Sequence, residues 1–265
     1  MEINKMNKNT EENSQKKVAH IKLEFMQADI SEIPSLLEKY ADDDRSGVIT
    51  ICRQYKTKLD AYREECARLE GMKQYEREYA DYQYICGIDE VGRGPLAGPV
   101  IACAVILPKD CNILYINDSK QLSARKREEL YDEIIKSAVS FGIGSVPPNQ
   151  IDEMNILQAT YEAMRKAIGN LTVKPDIILT DAVTIPGIDI RQVPIKKGDA
   201  KSISIAAASI VAKVTRDRLM MAYDKVFPGY EFASNMGYGS ARHIEAIRKL
   251  GLSPIHRRSF VTNFI

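Results

Sequence analysis

With 265 residues, a net charge of +1 and 45% hydrophobic residues, the chain has the composition of an ordinary globular protein. That balance excludes a disordered or fibrous protein, and it requires any surface for a polyanionic partner to be local. The longest apolar run, residues 98–107 (GPVIACAVIL), is about half the length of a membrane span, so we expect a buried strand and no membrane association.

The N-terminal eighty residues differ in composition from the rest. We predict a helical extension over residues 1–80 and a catalytic domain over 81–265. The first sixteen or so residues are polar and expected to fray, and helices are predicted over 30–40 and 47–79. Apolar residues recur at helical spacing from Ile51 to Leu69, which predicts a docking face. If that face packs on the chain's own catalytic domain, the protein is a monomer.

From residue 82 onward, apolar strands alternate with helices, which predicts an α/β domain. A β-rich half followed by helices favours a mixed β-sheet flanked by helices over a regular doubly wound sheet. The predicted strands are 84–91, 100–107, 140–146, 177–182 and 191–195, and the predicted helices are 124–137, 148–168, 203–227 and 240–250.

Adjacent acids stand at the end of the first predicted strand, in YICGIDEVGRGPLAGPV. Neighbouring strand residues point to opposite faces, so Asp89 and Glu90 can share one site only where the strand ends. The glycines and the proline that follow supply that end. The alternative is a strand terminus that carries two solvated acids.

Two further acids lie in similar settings. Asp181 closes the apolar run DIILTDA, and Asp199 in KKGDAKS precedes a predicted helix. Each also has a structural reading, as a turn former or as an acid at a helix N-terminus. Carboxylates gathered in one pocket repel one another unless a divalent cation offsets them, and all-oxygen ligands suit Mg²⁺ or Mn²⁺.

The glycines Gly92, Gly94 and Gly98 have the spacing GxGxxxG without the GK[ST] of a P-loop. We expect their exposed N–H groups to bond a phosphate or a sugar hydroxyl, with Arg93 adding charge. Further along the chain, a group of basic residues could follow a phosphate backbone, although lone histidines are more often structural. That group is His243 and His256 with Arg242, Arg257 and Arg258.

Seven segments, in order, carry a resemblance that covers about residues 83–262. They are GIDEVGRGPLAGPV, NDSKQLS, IDEMNILQAT, LTDAV, KGDAKSISIAAASIVAKVTRDRLM, GYGSARH and PIHRRSF. The chain resembles bacterial ribonuclease HII, of the type 2 ribonuclease H family. The resemblance implies a ribonuclease H-like fold and a metal site made by Asp89, Glu90, Asp181 and Asp199. Asp217 in VTRDRLM competes with Asp199 for the fourth place.

The resemblance also implies how substrate is bound. Gly92, Arg93 and Gly94 would recognise the ribose 2′-OH and its phosphates, and Tyr238 would lie against the sugar of the next nucleotide. Lys120, with Ser119, is a candidate phosphate contact, although Asp118 and Ser119 could instead cap the following turn. The implied partner is nucleic acid.

The implied reaction is phosphodiester hydrolysis with two divalent cations, Mg²⁺ or Mn²⁺. Its substrates would be RNA in RNA/DNA hybrids and single ribonucleotides in duplex DNA, cut on the 5′ side to leave 3′-hydroxyl and 5′-phosphate ends. One alternative is a ribonuclease HIII-like hybrid nuclease, against which Arg93 and the helical extension argue. A second is a non-catalytic nucleic-acid binding protein, against which the presence of all four acids argues.

The expected compartment is the cytoplasm. The five cysteines are odd in number and form no CxxC pair, as in a reduced protein. Residues 1–17 are polar and charged, without the apolar segment of a signal peptide.

Overall fold

The computed structural model describes residues 16–263, and the chain divides into two compact units between Arg68 and Leu69. The fraying predicted for the first sixteen or so residues therefore falls outside the described range. The division predicted at residues 80 and 81 stays a prediction.

The first unit is helical, as predicted for the extension. It contains α1 (Val18–Gln27), α2 (Ile33–Lys39) and most of α3 (Ser46–Met72). Its core consists of apolar and aromatic side chains from all three helices: Ile21, Phe25, Ile33, Tyr40, Val48, Ile51 and Leu59. We did not predict α1, although Ile21 and Phe25 have the i, i+4 spacing of a buried helix face.

The second unit begins with the end of α3 and a short helix, α4 (Gln74–Glu78), so the single helix predicted over 47–79 is wrong at its last turns. Five strands follow: β1 (Ile85–Val91), β2 (Val100–Ile106), β3 (Ser140–Val146), β4 (Ile177–Asp181) and β5 (Arg191–Ile195). They form one sheet in the order β3-β2-β1-β4-β5. β1 pairs antiparallel with β2 and parallel with β4, which confirms the predicted mixed sheet.

The helices of this unit are α5 (Ala124–Ser137), α6 (Pro148–Met154), α7 (Ile156–Gly169), α8 (Ile203–Val226), α9 (Phe232–Asn235), α10 (Ala241–Leu250) and α11 (Arg258–Val261). One helix was predicted over 148–168, and the structure divides it at Asn155. The backbone of Asn155 is left-handed, with φ of 70°, and its side chain accepts from the amides of Leu157 and Gln158. The side chain of Asn155 thus caps the second helix.

Two helices approach the sheet closely because glycine lies beneath them. A Cβ on Gly87 of β1 would meet the backbone carbon of Ser204 in α8 at 2.1 Å, and one on Gly144 of β3 would meet the carbonyl oxygen of Ala163 in α7 at 1.9 Å. The two sheet faces therefore bury separate apolar clusters, one with α5 and α8 and one with α7. This packing fixes α8 directly against the strand that carries Asp89 and Glu90.

A side chain from another helix caps the N-terminus of α8. Glu76 of α4 accepts from the hydroxyl of Ser202 at 2.6 Å and from the amide of Ser204 at 3.0 Å. A carboxylate is favourable at a helix N-terminus because the first amides have no partner within the helix. None of the helices between residues 16 and 263 combines the length and apolar character that a membrane span requires.

Candidate active site

The acids of β1 lie just beyond the point where the pairing of β1 with β4 ends. Pairing with β4 ends at Ile88 and Thr180, whereas pairing with β2 continues to Val91. Asp89 and Glu90 therefore follow the last β1–β4 pair, which opens the space beside them. Asp89 is 8% exposed, and its Oδ1 accepts from the amide of Glu90 at 2.8 Å.

Asp181 is the last residue of β4, and its Oδ1 accepts from the amide of Gly198 at 2.8 Å. That bond ties β4 to the 3₁₀ turn Gly198–Ala200, which contains the buried Asp199. Ala182, which follows Asp181, and Lys197, two residues before Asp199, have φ of 58° and 57°. Left-handed backbone at non-glycine residues is strained and is found at functional sites.

The first three acids share one electrostatic environment. Burial raises the pKa of Asp89 well above its usual range, and the charges of Glu90 and Asp181 raise it further, while a hydrogen bond from Ser209 opposes them. Burial also raises the pKa of Glu90, although Arg93, with its Nη1 at 3.3 Å from Oε1, works against that shift. Arg93 and the hydrogen bond from Ser209 therefore offset the negative charge of the site only in part.

Asp199 and Lys120 belong to the same environment. Burial raises the pKa of Asp199, and the charges of Asp118 and Asp181 add to that shift, while Lys120 lowers it. Burial lowers the pKa of Lys120, but the surrounding carboxylates outweigh burial, so the net shift is upward. Those carboxylates are Asp118, Asp199, Asp89 and Asp181.

The donor chemistry fits a divalent cation, because the four acids offer only carboxylate oxygens and carry uncompensated charge. Yet among residues 16–263, no three His, Cys, Asp or Glu side chains already converge as a metal cage. The acids are instead engaged separately, Asp181 with Gly198 and Glu90 with Arg93. Cation binding would therefore require these side chains to converge.

Asp217, the competitor for the fourth place, lies in a different setting. Its carboxylate pairs with Lys213 at 2.7 Å and lies 3.9 Å from Arg127. Its charge is not among the causes that shift the pKa of Asp89, Glu90 or Asp199. Its charge is thus already balanced, whereas that of Asp199 is not.

The glycine loop after β1 lies against the turn that carries Tyr238. A Cβ on Gly94 would be 3.8 Å from Cε1 of Tyr238, and the amide of Leu96 donates to the carbonyl of Gly237 at 2.8 Å. Arg93 and Gly94 are exposed, and Tyr238 is 46% exposed. The structure thus brings together the loop and the tyrosine expected to contact substrate.

The predicted phosphate-following cluster near the C-terminus is wrong in part. His243, His256 and Arg257 are buried, and only Arg242 and Arg258 are exposed. The two histidine Nε2 atoms lie 3.0 Å apart, and Nδ1 of His256 lies 2.9 Å from the amide of Ser253, which makes that nitrogen an acceptor. Two neutral rings satisfy this chain of bonds, so the histidines are structural.

Sequence reasoning missed three groups around the site. It gave the stretch that ends at Ser209 only a part in close helix packing, whereas Ser209 bonds Asp89 and lies 2.9 Å from the hydroxyl of Ser119. It treated Asp118 only as a cap, and it overlooked Arg216, which is buried beneath the glycine loop. The available signals were the small-residue stretch 206–209 of α8 and the first of the two arginines in VTRDRLM.

A mixed sheet with unbalanced carboxylates at its strand ends, beside an exposed glycine loop, defines a metal-dependent hydrolase of the ribonuclease H-like class. The family model for Ribonuclease HII matches residues 86–263, and the model for Ribonuclease HII N-terminal domain matches residues 17–80. The chain belongs to the ribonuclease HII family. It is therefore a metal-dependent endoribonuclease, a hydrolase that acts on RNA/DNA hybrids.

Individual relatives agree with this assignment. The chain is 67% identical to Ribonuclease HII of Lachnoclostridium phytofermentans over 226 residues, which are 85% of this chain and 89% of that protein. It is 51% identical to Ribonuclease HII of Clostridioides difficile, over 94% of this chain and 99% of that one. Among solved structures, ribonuclease H2 from Pyrococcus horikoshii OT3 superposes with a TM-score of 0.56 at 30% identity, covering 67% of this chain and 93% of that chain. These matches confirm the predicted family and fold.

Proposed function

We propose that the enzyme, besides cutting the RNA strand of RNA/DNA hybrids, cuts on the 5′ side of single ribonucleotides embedded in duplex DNA. The products would carry 3′-hydroxyl and 5′-phosphate ends. One observation carries the proposal: the uncompensated acids at the ends of β1 and β4 adjoin an exposed loop and an exposed tyrosine. The groups proposed for hydrolysis therefore lie next to the groups proposed for ribose recognition.

We assign the metal ligands to Asp89, Glu90, Asp181 and Asp199, and we propose Mg²⁺ or Mn²⁺ as the ions. Hard oxygen ligands suit both ions, and nothing in the ligand chemistry selects between them. When two such cations are bound, they supply activation of the attacking water and stabilisation of the leaving oxygen. The protein's part is to hold the carboxylates at the open edge between β1 and β4.

Two cationic side chains would orient the scissile phosphate. Lys120 is exposed and lies within the electrostatic reach of the acids, so it can contact a phosphate oxygen beside the metals. Arg93 is exposed and pairs only weakly with Glu90, at 3.3 Å. Substrate could therefore draw Arg93 away from Glu90, which would free that carboxylate as a ligand.

Recognition of the ribose is assigned to the loop Gly92, Arg93, Gly94 and to Tyr238. The absence of side chains on the glycines lets a sugar approach the backbone closely. The ring of Tyr238 lies against Gly94 and offers a flat apolar surface to the neighbouring sugar. The 2′-OH distinguishes RNA from DNA at such a site.

We also propose that the enzyme is a cytoplasmic monomer with a helical extension over residues 1–80 and a catalytic domain over 81–265. The bacterial relatives support the compartment, because a ribonucleotide-containing chromosome lies in the cytoplasm of a bacterium. The core of the first unit supports an extension with a fold of its own.

End-labelled duplexes test the cleavage specificity. In Mg²⁺ or Mn²⁺, we expect one cut on the 5′ side of a lone ribonucleotide and multiple cuts in the RNA strand of a hybrid. Cutting of the hybrid alone would contradict the proposed action on embedded ribonucleotides. Cutting in EDTA would contradict the two-metal mechanism.

Asp181→Asn tests the site assignment. We expect it to abolish cleavage while hybrid binding persists, because the amide keeps the shape and the bond from Gly198 but loses the charge. Asp152→Asn is the matched control: Asp152 is an acid that accepts from the amides of Arg258 and Ser259. Equal loss of activity in both variants would contradict the assignment.

A further inference from the structure

Two arginines are buried behind the glycine loop, and neither is explained by the chemistry assigned above. Arg216 on α8 and Arg257 before α11 are both 0% exposed. Neither takes part in an ion pair within the described part of the chain. A buried guanidinium without a carboxylate is costly unless its N–H groups are bonded in another way.

Backbone carbonyls satisfy Arg257. Its Nε donates to Gly98 at 3.0 Å, its Nη1 donates to Arg93 at 2.8 Å, and its Nη2 donates to Gly92. The three acceptors lie at both ends of the loop 92–98. Burial and, secondarily, the charge of Arg216 lower the pKa of Arg257 to about 9, so the group stays charged at neutral pH.

Arg216 bonds a second set of carbonyls. Its Nε donates to Pro99 at 3.0 Å, its Nη2 to Ala97 at 3.0 Å and its Nη1 to Met236 at 2.9 Å. The last of these precedes the turn that carries Tyr238. One side chain therefore ties the far end of the glycine loop to the tyrosine turn.

The loop is also shaped around Arg216. Gly92 has a φ of +87°, and a Cβ there would lie 2.2 Å from Nε of Arg216. Gly98 has a φ of +86°, and a Cβ there would lie 3.1 Å from Nη2 of the same residue. The backbone conformation thus favours glycine at both positions, and the space for a Cβ is filled at Gly92 by Arg216 and at Gly98 first by Sδ of Met220, at 2.5 Å.

The direction of these bonds decides what the loop presents to solvent. In a trans peptide the C=O and the following N–H point in opposite directions. Because Arg257 draws the carbonyls of Gly92 and Arg93 inward, the amides of Arg93 and Gly94 point outward. Neither amide has an acceptor within residues 16–263, and both residues are exposed.

We propose that Arg257 and Arg216 are positioning residues for ribonucleotide recognition. Arg257 turns the amides of Arg93 and Gly94 towards the substrate, and Arg216 fixes Tyr238 beside them. The inference rests on the proposed function, because it assumes that this loop contacts the ribose or its phosphates. A lysine in place of either arginine keeps the charge but cannot bond three carbonyls in a fixed fork.

Arg257→Lys tests the proposal, with Arg218→Lys as the matched control. Arg218 is exposed and pairs with Glu128, so its replacement leaves the loop intact. The measurements are kcat and KM on a DNA duplex with one ribonucleotide, and the ratio of its affinity to that of the all-DNA duplex. For Arg257→Lys we expect KM to rise about tenfold or more with kcat within about threefold, as for a loss of uniform binding.

The affinity ratio should fall about tenfold in Arg257→Lys and stay within about twofold of wild type in Arg218→Lys, since the latter loses only a surface ion pair. An unchanged ratio in a folded Arg257→Lys protein would overturn the inference. If the wild-type enzyme itself fails to distinguish the two duplexes, the proposed function fails instead. The two failures are therefore separable.

If Arg257→Lys does not fold, amide hydrogen exchange in another variant tests the proposal. In Asp181→Asn, which should bind without cutting, the amides of Arg93 and Gly94 should exchange fast in the free protein. They should become protected by the ribonucleotide duplex more than by the all-DNA duplex. Protection that is absent, or equal with both duplexes, would overturn the proposal.

Discussion

Two groups of buried like charge flank the loop that follows β1, and they differ in how far their charge is compensated. Among the acids, burial raises the pKa of Asp89 and the charges of Glu90 and Asp181 raise it further, so their negative charge is only partly offset. Arg216 and Arg257 instead donate to six backbone carbonyls. A buried charge whose hydrogen-bonding groups all have partners stabilises the structure. A charge that is not offset can instead bind a ligand.

The largest expected effect follows from removing an uncompensated acid. Asp199→Asn should lower kcat on a hybrid by on the order of 10³-fold, since metal-ion catalysis supplies several kcal/mol of transition-state stabilisation. Asp217→Asn is the matched control, because Asp217 is already paired with Lys213. A larger loss in Asp217→Asn would reverse the assignment of the fourth ligand. Steady-state cleavage assays in Mg²⁺ decide between them.

Substitution of a buried arginine should mainly change the free energy of unfolding. Arg216→Met leaves the carbonyls of Ala97, Pro99 and Met236 without a donor, which should lower the free energy of unfolding by about 3 kcal/mol. Arg218→Met on the same helix loses an exposed ion pair and should cost about 1 kcal/mol or less. Urea denaturation measures both. Equal losses would mean that the carbonyl bonds of Arg216 contribute little.

Removing an acid should raise the free energy of unfolding, whereas removing Arg216 should lower it. Without divalent cations, Asp89→Asn relieves repulsion from Glu90 and Asp181 and should stabilise the fold by about 1 kcal/mol, or roughly 2–4 °C in Tm. Mg²⁺ should raise the Tm of the wild-type protein more than that of the variant. The melting curves are recorded in EDTA and in Mg²⁺. A variant that melts below wild type in EDTA would show that the acids are not in net repulsion.

The last effect is confined to acid pH and concerns the buried histidine pair. Burial and, secondarily, His243 lower the pKa of His256 from 6.5 to about 4. Between these values the unfolded state binds a proton that the folded state does not, so stability falls as the pH drops from about 6.5 to about 4. His256→Gln should reduce that dependence by about one proton near pH 5. Urea denaturation across this range measures it, and identical slopes would contradict the neutral assignment.

The strands could be predicted from the sequence to within a residue or two, because β2 and most of β4 are short apolar runs and β3 alternates between buried and more exposed residues. The division of 148–168 could not, since Asn155 interrupts a helical pattern without breaking its apolar period. Helix α1, VAHIKLEFMQ, was missed although it is largely apolar and its buried residues Ile21 and Phe25 have helical spacing. Local patterns give the elements, but their ends depend on single side chains.

The candidate site was predictable to a different degree. The acids and the glycine loop stand out because their chemistry is visible in short motifs. Arg216 and Arg257 do not, since an arginine beside other charged residues usually marks a solvated surface, and its burial depends on contacts more than one hundred residues apart in sequence. The same reason explains why Arg257 was expected along a phosphate backbone and is instead enclosed.

Mn²⁺ titration calorimetry tests most directly the claim that the uncompensated acids form the metal site. It compares the wild-type protein with Asp181→Asn and Asp217→Asn. We expect binding to the wild type, a large loss of affinity in Asp181→Asn, and no change in Asp217→Asn, whose charge is already paired. Undiminished Mn²⁺ binding by a folded Asp181→Asn protein would contradict the account.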